Sequence, residues 1–430
     1  MTGRPRSIAL YTPGWPPGAV PNGIVTYVGH LRAAFEPLGV TTQVLTPHIV
    51  GGFAGGSPPA AAAVDITQIR TPPVRRLLER ALNRIPRYHA IGLRLGWSIA
   101  QAAAIGVDRP DLLEMEETFG AAWYAQQALE IPIVVRLHGP AFLNMVALGE
   151  PEDDHLRRID RAERRCIAEA AGVTAPSRDV LERVRNRYEI PLAEAQVIPN
   201  PAPTVPRERR WRLDESDGRT ILFVGRFDRH KAGDIILDAF REVATALPEA
   251  RLVFVGPDRG LRDETGNVHS LPAYLDAHMP AAVRARLEVT GPLGGEQIAA
   301  LRRRSFLTVV PSRYENFPLA LVESLAYGCP TVASDAGGIP EILLRDQTGL
   351  LARTGDRADL AANILALFRD PQRAAALGGR AADDIAARLN PDAIARATLA
   401  YYEDVLQKRR PRRRGASLAG AAYALTGLGG

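Results

Sequence analysis

Cysteine is nearly absent, with only Cys166 and Cys329 in a chain of 430 residues. Two thiols so far apart make neither a metal-spaced cluster nor a disulfide framework, which excludes a zinc module and a stapled secreted scaffold. Long apolar runs are missing too. No stretch reaches the roughly 18–20 apolar residues that a membrane-spanning helix needs, and the opening MTGRPRSIALYTPG has too short an apolar run for a signal peptide. There is no repeat of solenoid period and no D-x-D step or His and carboxylate cluster where a metal would be needed. The first apolar run leads into YTPGWPPG, where a dinucleotide-binding dehydrogenase would carry G-x-G-x-x-G. These absences point to a soluble protein of a reducing cytoplasm, at most lying on a membrane surface.

What is present is an ordinary globular composition, 46% hydrophobic and 23% charged, in a chain long enough for two or three domains. Short β-branched runs recur, each followed by a loop and a helix-patterned stretch. SIALYTP, TTQVLTP, DLLEME, IVVRLHG, GVTAPS and QVIPNP form a first series; RTILFVGRF, RLVFVG, LEVTGP, FLTVVPS and PTVASDA form a second. Runs without polar alternation suit strands buried on both faces, so the pattern predicts an α/β protein with doubly wound parallel sheets. The Pro-rich, charged segment 200–220 reads as the linker between two domains of similar size. Near the end, Ile394, Leu399, Tyr402 and Val405 mark the apolar stripe of a helix.

Ligands of parallel α/β sheets sit at the carboxyl ends of strands, so the residues after each run carry the functional information. FLTVVPS is followed by SRYENFPLALVESLAYG, a loop and then a helix predicted to have Pro318 in its first turn and to end at Gly328. The free amides of Leu319 and Ala320 suit a phosphate. Glu315 stands in the loop before that site and Glu323 about two turns inside the helix, placed to accept hydrogen bonds from sugar hydroxyls. The same spacing also fits a helix-start acid and an unrelated surface acid. In ILFVGRFDRHKAGD, the loop offers Gly225, Arg226, Lys231 and Gly233, small residues with two cations able to neutralise a diphosphate without a metal, or simply a solvated basic loop. In DAGGIPE, Gly337 and Gly338 permit close approach or make a tight turn.

The first series has a long Gly/Pro loop after its first strand, with Asn22 and Gly23 at a helix start, and it places His138 beside Gly139 at a strand end. Trp15, Glu116, Glu117 and Phe119 also stand at strand ends. The net charge of +5 is modest for this length, but two strongly basic stretches stand out, from Arg70 to Arg94 and KRRPRRR at 408–414. The first suits anionic lipid or a solvated helix face, and the second a membrane, a nucleic acid or, as such runs usually are, a solvated tail, so no nucleic-acid partner is expected.

Taken together, the E-x7-E pair Glu315 and Glu323, the pair Arg226 and Lys231, and the turn GGIPE resemble glycosyltransferase family 4, the retaining enzymes of GT-B architecture. The resemblance covers roughly residues 7–406. It implies two Rossmann-like domains with an interdomain cleft: an N-terminal acceptor domain (1–203), a C-terminal nucleotide-sugar donor domain (204–385), a helix returning to the first domain (386–408) and a basic, apolar tail predicted to be disordered (409–430). It implies transfer of a sugar from a nucleoside-diphosphate donor to a hydroxyl of a glycan, glycolipid or small molecule, without cofactor or metal. Carried over by motif, Glu323 holds the ribose, Glu315 the transferred sugar together with Asn316, Phe317 and the amides of Leu319 and Ala320, and Arg226 and Lys231 the leaving diphosphate beside Gly225. Gly291 ends the segment lining the base pocket, and His138 approaches the reacting sugar. Asn22 and Gly23 replace the paired glycines frequent in the family, and ENFPL replaces EGFGL. Trp15, Glu116, Glu117 and Phe119 are the acceptor candidates. An epimerase or hydrolase of the same architecture, and a non-catalytic nucleotide-sugar binder, are the alternatives.

Overall fold

The apolar runs pair as parallel strands in two separate sheets. The structure, a computed structural model, describes residues 4–20, 22–50, 63–82, 84–85, 89–105 and 109–408. It divides into two units, Met1–Phe142 with Glu152–Pro201 and Pro391–Gly430, and Leu143–Pro151 with Ala202–Asn390. The division therefore falls at Pro201/Ala202 where 203/204 was predicted, and the return begins at Pro391 where 386 was predicted. The helix Pro371–Arg388 stays in the second unit because Gly378 lies against the backbone of Gly328, where an added Cβ would sit 2.1 Å from the carbonyl oxygen. The tail 409–430 lies outside the described residues.

In the first unit the strands are β1 (Ser7–Tyr11), β2 (Thr41–Thr46), β3 (Ala63–Asp65), β4 (Leu112–Glu116), β5 (Ile133–Arg136), β6 (Gly172–Ala175) and β7 (Gln196–Val197). Their order is β3-β2-β1-β4-β5-β6-β7, all parallel. The chain runs outward from β1 in one direction and resumes at β4 in the other, so the topological switch lies between β1 and β4. The helix Pro391–Gln407 belongs to this unit, and its predicted stripe is buried. Tyr402 donates to the buried Glu114 carboxylate at 2.5 Å, while Tyr401 bonds both the amide and the carbonyl of Val173.

The second unit contains β8 (Thr220–Val224), β9 (Arg251–Val255), the antiparallel pair β10 (Leu261–Arg262) and β11 (Val268–His269), then β12 (Leu287–Gly291), β13 (Leu307–Val310), β14 (Thr331–Ser334) and β15 (Leu350–Ala352). Its main sheet is ordered β12-β9-β8-β13-β14-β15, again parallel, with the switch between β8 and β13. The short strands β3, β10, β11 and β15 were not legible as apolar runs. Two or three residues each are too few to show a period.

The basic stretch from Arg70 to Arg94 contributes two helices, Pro73–Leu82 and Ala90–Ile105. It is not a uniformly solvated face, because Arg75 is fully buried and satisfied on every nitrogen. Its Nε bonds Glu79, one terminal nitrogen bonds Gln101, and the other bonds Ser98 and the Arg94 carbonyl. Among the described residues no helix is long and apolar enough to cross a membrane.

Candidate active site

The β8/β13 switch brings two sequence motifs together. The loop after β8 carries Arg226 and Lys231, and the loop after β13 carries Ser312 and Glu315. Lys231 Nζ lies 2.5 Å from Glu315 Oε1, and the Ser312 hydroxyl donates to the same oxygen at 2.7 Å. Glu315 is buried, at 6% exposure, whereas Lys231 keeps about a quarter of its side chain open, at 28%. Burial pushes the Glu315 carboxyl up, but the Lys231 charge, His230 and the two hydrogen bonds outweigh it, leaving the group below its ordinary range.

Asp228 sets the geometry of the basic loop. One oxygen accepts from the Lys231 amide at 2.7 Å and the other from Arg226 Nε at 2.7 Å. Arg226 is thus aimed by one nitrogen, with its side chain 43% exposed. His230 Nε2 meets the Tyr314 carbonyl at 2.7 Å, and the Arg313 amide donates to the His230 carbonyl at 2.9 Å, lacing the two loops. Arg313 forks onto Asp234 at the start of the helix Gly233–Ala246, with contacts of 2.7 and 2.6 Å.

The glycine turn closes on the same residue. Gly338 donates its amide to the Glu315 carbonyl at 2.8 Å, and Gly337 has φ +55°, with an added Cβ 2.2 Å from that oxygen. Only glycine combines that backbone with that proximity. Three motifs separated in sequence therefore converge on Glu315.

Glu323 lies elsewhere in this geometry. It is the fifth residue of the helix Leu319–Ala326, little more than one turn in where two were predicted, and it pairs with Arg302 at 2.6 Å. Arg302 is only 3% exposed and sits on the helix Gly295–Arg304, which the sequence patterns did not connect with Glu323. Pro318 is the N-cap and not a residue of the first turn; its carbonyl accepts the amides of Leu321 and Val322 at 3.1 Å. That leaves the amides of Leu319 and Ala320 at the positive end of the helix. Phe317 is buried in the core, and the Asn316 side-chain oxygen is buried beside it. Gly225 donates to the Val255 carbonyl, and Gly291, at φ +72°, ends β12 with open space around it.

In the first unit most predicted residues have structural duties. The Asn22 side chain caps the helix Gly23–Phe35 by accepting from the Ile24 amide at 2.8 Å. Trp15 is held by its amide to the His48 carbonyl at 2.9 Å and lies under the Arg32 guanidinium. Glu117 is buried and accepts from the amides of His138, at 3.0 Å, and Gly139, at 2.8 Å, so it positions the histidine loop. The His138 ring packs edge-on against Tyr27 at 5.0 Å, and burial followed by the Arg136 charge holds it well below its ordinary pKa, hence neutral at pH 7. Phe119 has φ 57° and stacks on His89 at 5.3 Å.

Glu116 and Glu117 are adjacent buried acids. Burial and then the Glu117 charge raise Glu116 to about 8, and burial raises Glu117 to about 7 against its hydrogen bonds. A carboxyl raised in the folded state binds protons there that the unfolded chain has released. Stability therefore falls as pH rises from the unfolded value toward about 8. Glu116→Gln is expected to remove part of that slope, giving a variant more stable than the parent at pH 8.5 by on the order of 1–3 kcal/mol, with a smaller difference at pH 6.5. Thermal melts at the two pH values check it; parallel slopes would refute the burial argument.

Two parallel doubly wound sheets, the second with cations and a buried acid at its switch point, make this an α/β protein of two Rossmann-like units with a candidate anion-binding site at the strand ends. Residues 206–384 match the model described as glycosyl transferases group 1, and residues 21–205 match glycosyltransferase family 4. The chain belongs to glycosyltransferase family 4 and has the GT-B fold. It is 29% identical over 299 residues to a D-inositol 3-phosphate glycosyltransferase of Thermobispora bispora, an alignment covering 66% of this chain and 68% of that one. It is 30% identical over 305 residues to the protein of that name from Acidothermus cellulolyticus, covering 66% and 65%. Among solved structures, sucrose-phosphate synthase from Thermosynechococcus elongatus superposes with a TM-score of 0.70 at 19% identity, over 94% of this chain and 100% of that one. Anabaena HepE in complex with UDP-glucose gives 0.64 at 18%, over 93% and 99%.

Proposed function

We propose that this glycosyltransferase moves a sugar, with retention of configuration, from a nucleoside-diphosphate donor bound at the β8/β13 switch to an acceptor hydroxyl. The observation that carries the reading is the Lys231–Glu315 pair at 2.5 Å, with Arg226 open beside it. An ammonium that already neutralises a buried carboxylate is held in place before the donor arrives, and it is partly exposed to take the growing charge of the leaving diphosphate. Arg226 supplies the second cation, and the amides of Leu319 and Ala320 supply neutral donors, so the charge is met by the chain's own groups and no metal is required. Glu315, whose second oxygen remains to accept a sugar hydroxyl, orients the transferred group, and Glu323 holds the ribose. His138 acts as a neutral donor or acceptor toward the reacting sugar. Two buried free thiols, Cys166 and Cys329, suit a reducing cytoplasm.

A panel of nucleotide sugars, beginning with UDP-glucose, read by slow donor hydrolysis and then by transfer to added acceptors, tests this. The expected result is one preferred donor, hydrolysis slower than transfer, and rates unchanged by EDTA. Loss of activity in EDTA restored by a divalent ion would overturn the metal-free reading. Rapid release of free sugar or an epimer without acceptor would favour a hydrolase or epimerase.

A further inference from the structure

Arg136, the last residue of β5, is only 1% exposed and makes no salt bridge among the described residues. One terminal nitrogen donates to the Ile198 carbonyl at 2.7 Å and to the Asn200 side-chain oxygen at 2.7 Å. The guanidinium carbon lies 4.7 Å from the centre of the Tyr27 ring, and Nε is buried without a hydrogen-bond partner. Such an arrangement is costly, since the charge gives up water and gets back neutral oxygens and a ring face. A tie between β5 and the segment Ile198–Asn200 needs no charge, so that tie alone does not account for an arginine. What the guanidinium adds is its grip on the face of Tyr27.

Tyr27 is fixed from three sides and passes its position on. Its hydroxyl donates to Glu114 Oε1 at 3.0 Å, its face carries Arg136, and the His138 ring meets it edge-on, at 5.0 Å and 65°. The other oxygen of Glu114 accepts from Tyr402, on the helix Pro391–Gln407. The chain leaves the first unit after Pro201, one residue beyond Asn200, and comes back to it at Pro391, where that helix starts. The outgoing segment and the returning helix are therefore tied to the same buried group of side chains, one through Arg136 and the other through Glu114. That group bears directly on His138. We infer that Arg136 is a positioning residue for transfer: through the face of Tyr27 it sets the His138 ring according to the placement of the outgoing segment at Ile198–Asn200. This rests on the transfer reading above and adds to it a residue too buried to touch either substrate. The Arg136 charge acts in the same sense, since after burial it is what keeps His138 neutral.

The test is a double-mutant cycle in the full chain between Asn200 and His138, the two ends of this series of contacts. Asn200→Ala is expected to lower turnover by about 10- to 100-fold with donor KM nearly unchanged, and to cost less than about twofold more in the His138→Ala background. Asn200→Asp keeps an oxygen for the guanidinium and should stay near the parent. Arg136→Lys keeps the charge without the planar fork and should repeat the Asn200→Ala loss. The Asn200 variants remove no buried charge, so they carry the test if the lysine variant fails to fold. Independent losses at Asn200 and His138, equal losses in Asn200→Asp and Asn200→Ala, or a lowered melting temperature with turnover intact would overturn the inference. The magnetic-resonance signal of the His138 ring in histidine-labelled protein without substrate, assigned by its absence from His138→Ala, is the second readout. It should move in Asn200→Ala, and further than in Asn200→Asp; an unmoved signal in Asn200→Ala would also overturn the inference. A moving signal in a protein that transfers no sugar would overturn the transfer reading alone and leave the link from Asn200 to His138 standing.

Discussion

Lys231→Ala is expected to lower turnover by about 10²–10³ while changing donor affinity much less. Removal of one preorganised donor to a developing oxyanion costs about that much in enzymes that depend on it. The split between turnover and affinity follows from the pair itself. In the ground state the ammonium already has a carboxylate, Glu315 Oε1 at 2.5 Å, so the bound donor gains little from it. As the leaving diphosphate takes up charge, the ammonium gains a second partner without having to move or shed water, and that gain exists only in the transition state. Kinetics with saturating acceptor check this; an affinity loss with turnover intact would contradict the role.

The same variant carries a stability signature with a definite sign. In the parent, Glu315 is held below its ordinary pKa, so its contribution is present above the unfolded value and lost as pH falls through the folded one. Without Lys231 burial is opposed only by His230 and the Ser312 hydrogen bond, the carboxyl moves up, and the variant should lose stability relative to the parent as pH rises from about 5 to 7. Ser312 remains on the oxygen at 2.7 Å, and Lys231 is partly exposed, which limits the effect to roughly 1–2 kcal/mol. Lys231→Ala should therefore be assayed near pH 6 as well as pH 8, so that loss of fold is not counted as loss of chemistry.

The sheets were legible because their strands are buried on both faces, which removes polar alternation and leaves bare runs such as ILFV and LTVV. The association of Lys231, Glu315 and Gly337 was legible only as a set of motifs, since nothing local in RHKAG or RYENF shows that 84 residues later one side chain will touch the other. The switch between β8 and β13 supplies that link, and it is a property of strand order, which no window of sequence contains. Asp228 and Ser312 carried a weak signal, being two and three residues from groups already singled out. Arg302 carried none: in GEQIAALRRR it is one of three consecutive arginines, and only packing decides that it is the buried one. The basic segment after Arg70 failed in the same way. Arg75 and Arg76 are neighbours with identical side chains, yet the helical turn puts the first inside and the second on the surface.

Arg302 determines the second large effect. Glu323→Ala removes the carboxylate 2.6 Å from a guanidinium that is only 3% exposed, leaving a cation that water cannot readily reach. Breaking a buried pair from one side costs about 3–5 kcal/mol; Glu323 is a third exposed, so some solvent relaxation is available and about 2–3 kcal/mol is expected here. For a unit near 200 residues that lowers the melting temperature of the second unit by roughly 5–10 °C. The pairing also complicates the ribose role, because loss of donor use in Glu323→Ala, expected at about ten- to a hundredfold, mixes a missing hydroxyl contact with a displaced helix Gly295–Arg304. The two contributions separate in a pair of variants. Glu323→Gln keeps hydrogen bonding to Arg302 and to a hydroxyl but removes the charge, whereas Glu323→Ala with Arg302→Met removes the stranded cation and keeps the volume filled. If Glu323 grips ribose, the double variant recovers thermal stability without recovering donor affinity, and a 2′-deoxy donor loses little further when offered to it. If donor affinity returns along with stability, the carboxylate serves only to neutralise Arg302, and the ribose contact belongs to another group.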